Sequence, residues 1–295
     1  MVAPNAMAVD LDASASAYNR LHADWDALVR RETQRLEDLR PATVVSNINP
    51  LSLAAAQRAG VPCVALCCMN WMDIYEKFFG GSPEADRVIE TMRRAYSGAE
   101  VFLQPRPHMP MENISRRRSI GPIGRRGENR RGELRARLGC ASDEKIALLT
   151  LGGLADPSTL ELLPRIEGVR WLLRRAIAPD RADVSTIEST GLSLIDLLFS
   201  AELVLGKDSY CTVVEAAHAG AGIVLVPRED WPETACLVDW ATQRCNFALA
   251  PHGFDQPEIL AKVVTKVLSG DPSPPVDLRG IDEAAEVIAA VSGLS

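Results

Sequence analysis

Apolar positions along this chain follow two rhythms. Residues 14–40 show the first: Tyr18, Leu21, Trp25, Leu28, Leu36 and Leu39 recur near helical spacing with charges between them, which predicts one amphipathic helix. The second is a run of consecutive apolar residues. It occurs in TVVS (43–46), VPCVALCCM (61–69) and VFL (101–103), then in KIALLTLGG (145–153), VRWLLRR (169–175), ELVLG (202–206) and GIVLVPR (222–228). Short apolar runs bounded by turn residues read as buried strands. Helical stretches fall between them. One runs from Pro50, at a first-turn position where a missing N–H costs nothing, to Gly60. Others lie near 83–97 and 127–139, and near 158–166, 192–200, 212–219, 232–244, 255–269 and 280–292. Strand–helix alternation of this kind means βαβ units on parallel sheets, so the fold class is α/β.

Residues 104–127 break both rhythms. They hold Pro105, Pro107, Pro110 and Pro122 and three consecutive arginines, Arg116, Arg117 and Arg118, and they read as a linker. At about 150 residues per domain, 295 residues predict two domains. The division falls at 1–120 and 121–295. The arginines between 116 and 137 read as a solvated linker and helix face.

Composition narrows the function classes. Net charge is −7 and aromatics are 5%, which argue against a basic nucleic-acid surface and base-stacking platforms. Apolar runs stay far below the ~20 residues of a membrane span. The N-terminal residues MVAPNAMAVDLDA show neither the basic nor the apolar region of a signal peptide. The seven cysteines form no CxxC pair, and Cys67 and Cys68 are adjacent inside an apolar run. That usage suits a reducing compartment, so a cytoplasmic location is expected. His22, His108, His218 and His252 are scattered without metal-ligand spacing, so no metal site is expected.

Three stretches after strands carry candidate chemistry. In LLTLGGLADP, Gly152 and Gly153 follow a strand and precede a helix start, which suits either a diphosphate cradle or a tight turn with no ligand. In GKDSYCTVVEAAHAG, a polar loop of Lys207, Asp208, Ser209 and Tyr210 ends a strand, and Ser209 or Thr212 caps the next helix. Open α/β sheets bind ligands at such carboxyl ends. Glu215, about one turn into that helix, could accept two ribose hydroxyls or merely complement the helix dipole. In PREDWPE, Arg228 and Glu233 again follow a strand. In the first half, Asn47, Asn49, Asn70, Trp71, Asp73 and Tyr75 also follow strands. They suit a cleft lining, or, for Trp71 and Tyr75, packing one turn apart on a helix.

Taken together, VVSNINPLSLAAAQRAGVPCVALCCMNWMDIY, IGPIGRRGENRRGELRARLG…IALLTLGG and GKDSYCTVVEAAHAGAGIVLVPREDWPE resemble the two-Rossmann-domain (GT-B) glycosyltransferases. The resemblance is to the group related to bacterial N-acetylglucosaminyltransferases of peptidoglycan synthesis and to the domain in front of plant arabinokinases. It implies a metal-independent transfer of sugar from a nucleoside diphosphate sugar, with UDP as the expected carrier, to an unknown acceptor, and no cofactor. It also implies roles. Gly152 and Gly153 would approach the diphosphate, and Lys207, Ser209, Tyr210 and Thr212 would line the nucleotide-sugar loop. Glu215 would bind the ribose, while Arg228 and Glu233 would lie near the sugar or the cleft wall. The final helix near 280–292 would cross back to the first domain.

Three departures accompany the resemblance. The DSYCT loop is poorer in glycine than in relatives. Asn47 stands where an acidic residue is usual. The opening strand and Gly-His-Gly-like loop, whose histidine is the base in many relatives, has no counterpart in MVAPNAMAVDLDASAS. The first domain is therefore expected to be incomplete and its catalytic base is unassigned, with Asp10, Asp73 and His108 as candidates. An open sheet edge there would suit a second copy of the chain or a partner protein. The alternatives to a transferase are a non-catalytic nucleotide-sugar-binding relative acting with a partner, and a sugar-nucleotide epimerase.

Overall fold

The computed structural model describes residues 1–5, 7–151, 161–175, 180–228 and 230–293. The chain divides into two compact units. The first comprises Met1–Val2, Val9–Ile123 and the segment from Leu278 onward; the second comprises Ala3–Ala8 and Gly124–Asp277.

In the first unit, α1 (Leu11–Ala23) and α2 (Trp25–Leu39) lead into β1 (Val44–Ser46), α3 (Pro50–Ala59), β2 (Cys63–Leu66) and α4 (Trp71–Phe79). Then come α5 (Pro83–Ser97), β3 (Val101–Pro105) and β4 (Arg117–Ile120). The four strands are all parallel and in sequential order. The single helix expected over 14–40 is two helices. Asp24 leaves the helical region at φ −100°, ψ 8°, and its N–H bonds the His22 carbonyl instead of the one four residues back. The region read as a linker contains β4. Only Ile120 of that strand is buried, so an outer strand with polar side chains left no apolar run to detect.

Helix ends follow local chemistry. Asn49, Asn70 and Ser82 cap α3, α4 and α5 by accepting a backbone N–H from the first turn. Gly60 closes α3 in the left-handed region at φ 68°, which suits glycine.

In the second unit, α6 (Arg131–Leu138) precedes β5 (Lys145–Thr150), β6 (Val169–Leu173), β7 (Val184–Thr186), the short α7 (Ile187–Thr190) and α8 (Leu194–Ser200). Next are β8 (Leu203–Lys207), α9 (Tyr210–Ala219), β9 (Gly222–Val226), α10 (Thr234–Arg244), β10 (Phe247–Leu249) and α11 (Pro257–Leu268). Of the helix expected near 158–166, residues 158–160 lie outside the described residues, and 162–166 are not helical. The six described strands form a parallel sheet in the order β10-β9-β8-β5-β6-β7. Chain direction across the sheet reverses between β5 and β8, which makes their carboxyl ends the topological switch point.

Both faces of this sheet are covered. Ala147 and Leu149 of β5 join Trp171, Leu205, Val224 and α11's Leu260 and Val264 in one apolar cluster. The alternate residues Ile146 and Leu148 join Val204, Ile223, Leu225, Val213, Leu237 and Trp240 in another. A strand covered on both sides needs apolar residues at odd and even positions alike, which is why these strands read as unbroken apolar runs.

The last helix, α12 (Gly280–Ser292), belongs with the first unit. Ala284, Val287, Ile288 and Val291 form a stripe at helical spacing against Val64 of β2, Leu103 of β3 and Ile120 of β4. Its entry is tight. The Gly121 N–H donates to Glu283 Oε2 at 2.7 Å and the Gly280 N–H to the Pro122 carbonyl at 3.2 Å. A Cβ on Gly280 would lie 1.9 Å from the Gly121 oxygen and 2.8 Å from that of Pro122, both backbone atoms. Gly280→Ala is therefore expected to lower stability by about 1–3 kcal/mol, since overpacking against backbone cannot relax by a rotamer change. Urea denaturation measures this, and an unchanged midpoint would refute it.

Candidate functional site

The switch point of the second unit holds a cavity of about 160 Å³. Its floor is the carboxyl end of β5 at Thr150 and of β8 at Lys207. These strands approach closely there, because Thr150 pairs with Gly206 in register. A Cβ on Gly206 would come within 2.9 Å of Thr150 Oγ1 and of Thr212 Cγ2, so only glycine lets α9 start this close to both strands. Thr150 Oγ1 is buried with no hydrogen-bond partner among the described residues.

One wall is the first turn of α9. Ser209 occupies the N-cap position but its side chain makes no capping bond, and Ser209, Cys211 and Thr212 line the cavity. The positive end of the helix dipole thus lies at the cavity. Lys207 is about half-buried, and burial, reinforced by Arg228, holds its ammonium below the ordinary lysine range. Arg125 and Arg174 line the same space. Three basic side chains against one carboxylate make a locally cationic site in a chain of net charge −7.

That carboxylate is Glu215, which is 2% exposed. Both its oxygens are held by Arg125. Oε1 accepts from Arg125 Nε at 2.8 Å and from its backbone N–H at 3.1 Å, and Oε2 accepts from Nη2 at 3.0 Å. Bonds to Glu215 hold the guanidinium above the usual arginine range.

A second polar cluster follows β8 and β9. Asp208 is fully buried, and Oδ1 accepts from Arg228 Nε at 2.6 Å. Its carbonyl accepts from Arg228 Nη2 at 2.8 Å and its Oδ2 from the Thr234 hydroxyl. The Arg228 guanidinium stacks 4.0 Å above the Trp231 ring, and the indole N–H donates to Glu233 Oε2 at 3.3 Å. This cluster braces the loop that carries Lys207 and Ser209.

Of the residues expected to bind the donor, the structure brings Lys207, Ser209, Thr212 and Glu215 together in one cavity. Tyr210 lies beside them but packs partly buried against the apolar cluster of α8 and α9. Arg228 and Glu233 sit in the bracing cluster, bonded to Asp208 and Trp231. Gly152 and Gly153 lie outside the described residues. Sequence reasoning missed Arg125, Thr150 and Arg174. It also read the arginines of 116–137 as solvated, whereas Arg125 holds Glu215 and Arg131 donates to the Ser200 and Ala201 carbonyls. Nothing local marks Arg125 among its arginine neighbours; its partner is 90 residues away.

In the first unit the polar residues after strands have structural partners. Asn49 and Asn70 are helix caps. The Trp71 N–H donates to the Tyr96 hydroxyl at 3.2 Å, which itself donates to the Ile48 carbonyl at 2.6 Å, tying two loops together. Tyr75 packs on Tyr18 and Phe79 at 4.6 and 4.8 Å between ring centres. Among the base candidates, Asp10 caps α1. His108 bridges the Met109 carbonyl and Ser119. Asp73 accepts from Asn70 at 2.9 Å on one oxygen, while the other is buried without a partner among the described residues; burial raises its carboxyl above the ordinary range. His218 donates to the Val276 carbonyl at 2.7 Å and meets Phe199 edge-on. Among the described residues no group of three His, Cys, Asp or Glu is placed to hold a metal ion. No described helix is long and apolar enough to cross a membrane.

Comparison with known proteins places this fold. No family model matches the chain. An L-arabinokinase of Arabidopsis thaliana is 25% identical over 217 residues, which is 71% of this chain and 20% of that protein. The chain thus spans about one fifth of the length of the curated relative it matches. Among solved structures, the glycotransferase of kitacinnamycin superposes over 97% of this chain and 85% of its own, with TM-score 0.63 and 16% identity. Arabidopsis thaliana UGT89C1, solved in complex with UDP, superposes over 99% of this chain and 82% of its own, with TM-score 0.58 and 12% identity. The two parallel-stranded units therefore have the GT-B glycosyltransferase fold.

Proposed function

We propose that this chain is a glycosyltransferase that binds a nucleoside diphosphate sugar in the cavity at the β5–β8 switch point and passes the sugar to an acceptor hydroxyl. One observation carries the reading: a buried carboxylate, Glu215, shares a cavity with Lys207, Arg125, Arg174 and the N-terminus of α9. A carboxylate suits a ribose diol, and convergent positive charge with a helix N-terminus suits a diphosphate. Two structural neighbours support it: one is a glycotransferase, and UGT89C1 was solved in complex with UDP. UDP is accordingly the proposed carrier.

In the reaction the bond from the anomeric carbon to the diphosphate breaks with its electron pair leaving on the diphosphate, the acceptor oxygen bonds that carbon, and the acceptor's proton passes to solvent. Negative charge grows on the leaving diphosphate. Lys207, Arg174 and the α9 dipole line the cavity where they stabilise that charge before it forms. Thr150 Oγ1 is positioned to bond a ligand oxygen in the same cavity. With these groups meeting the diphosphate, the proposed reaction runs without a bound metal or cofactor. The seven free cysteines support a cytoplasmic setting.

Isothermal titration calorimetry of the full chain with UDP tests the reading. One-to-one binding, together with release of UDP from a UDP-sugar, is the expected result. Absence of nucleotide binding to folded protein would overturn it.

A further inference from the structure

Glu215 presents about four acceptor positions, two on each oxygen. Arg125 fills three of them, with its backbone N–H and Nε on Oε1 and Nη2 on Oε2. One position is left, while a ribose diol requires two. The diol and the Arg125 side chain therefore compete for the same carboxylate. The two partners are not equally fixed: the Arg125 side chain is 64% exposed and that of Glu215 is 3% exposed. Arg125 can turn away with little change in its hydration, and its backbone N–H still bonds Oε1 when it does. Glu215 has nowhere to go.

Moving the guanidinium aside leaves a buried carboxylate without its countercharge. A bare nucleoside brings two hydroxyls and no charge, so it does not restore the balance. A nucleoside diphosphate brings phosphates into a cavity that Arg125 also lines. The guanidinium fork matches phosphate oxygens as well as it matches a carboxylate. Resting on the reading of this cavity as a nucleoside diphosphate site, we propose that Arg125 is a specificity-determining residue. Its side chain holds Glu215 until a donor arrives, then passes to the donor's diphosphate as the ribose takes its place. Ligands that bring ribose without phosphate must break the ion pair and gain nothing in return, so the site rejects them.

The test compares uridine and UDP by calorimetry on the full chain, in the wild type, Arg125→Ala and Arg125→Lys. Arg125→Ala is expected to bind uridine several-fold more tightly, because no ion pair has to be broken. It is expected to bind UDP about tenfold more weakly, the equivalent of one charge-assisted hydrogen bond to phosphate. The preference for UDP over uridine then narrows by about tenfold or more. Arg125→Lys keeps the charge without the fork and should fall between. A rise in uridine affinity is something that damage to the fold does not produce. An unchanged preference, or parallel loss of both ligands, would overturn the proposal while leaving the nucleotide site intact. Failure of UDP to bind the wild type would overturn the site reading itself.

Discussion

Glu215→Ala is expected to weaken UDP binding by about tenfold to a hundredfold. Two hydroxyl-to-carboxylate bonds are lost, and bonds to a charged group contribute about 1.5–3 kcal/mol each. Part of that loss is offset, because in this variant no Arg125–Glu215 pair has to be broken on binding. One hundredfold is therefore the upper end of the range, at about 1.4 kcal/mol per factor of ten. Folding is expected to survive. The member removed is the buried one, with a side chain 3% exposed, and the guanidinium left behind is 64% exposed and readily hydrated. Glu215→Gln keeps the side-chain shape and separates loss of charge from loss of volume. Calorimetry with UDP, with a thermal melt as a control for folding, measures the effect. Equal affinities of variant and wild type would show that the ribose is bound elsewhere.

Asp208→Ala carries the largest expected cost in stability, about 3–5 kcal/mol, the range for breaking a buried ion pair by removing one partner. Asp208 is fully buried and the Arg228 side chain is 14% exposed, so the guanidinium is stranded among Trp231 and Glu233 with its main partner gone. The Thr234 hydroxyl loses its acceptor as well. At roughly 2–4 °C per kcal/mol for a unit of this size, the melting temperature should fall by about 10 °C. Arg228→Ala should be comparably harmful, since it leaves the carboxylate buried. The double variant should cost less than the sum, because each single change already breaks the same bonds. Strict additivity in that cycle would mean that the two side chains stabilise the loop independently.

These two residues show how differently the site was written into the chain. The place of Glu215 was legible: an apolar strand ends at Gly206, a polar loop follows, and a lone acidic residue sits midway along a largely apolar helix. Local rules are enough for that. Asp208 was visible as a loop residue, but its bonds to Arg228 join positions 20 residues apart, and Arg228 in turn stacks on Trp231. Arg125 was not legible at all. It is one of many arginines between 116 and 137, and only the fold brings it to Glu215.

The same division runs through the whole protein. Unbroken apolar runs such as IALL and IVLV reflect strands covered on both faces, and the helix ends at Gly60 and Gly139 follow from the left-handed turns that glycine allows. These features depend on neighbours in sequence, so the sequence by itself determined the α/β class, the parallel sheets and the polar stretches at the strands' carboxyl ends. Outer strands such as Arg117–Ile120 have too few buried positions to leave a pattern, and the kink at Asp24 interrupts a spacing that otherwise continues. The stripe of Ala284, Val287, Ile288 and Val291 announces that the last helix must cover an apolar surface, yet not which one. Only the tertiary structure decided that it covers Val64, Leu103 and Ile120, and that Arg125 holds Glu215. Burial and ion pairing join groups that are close in space, and closeness in space across 90 residues is a property of the folded chain alone.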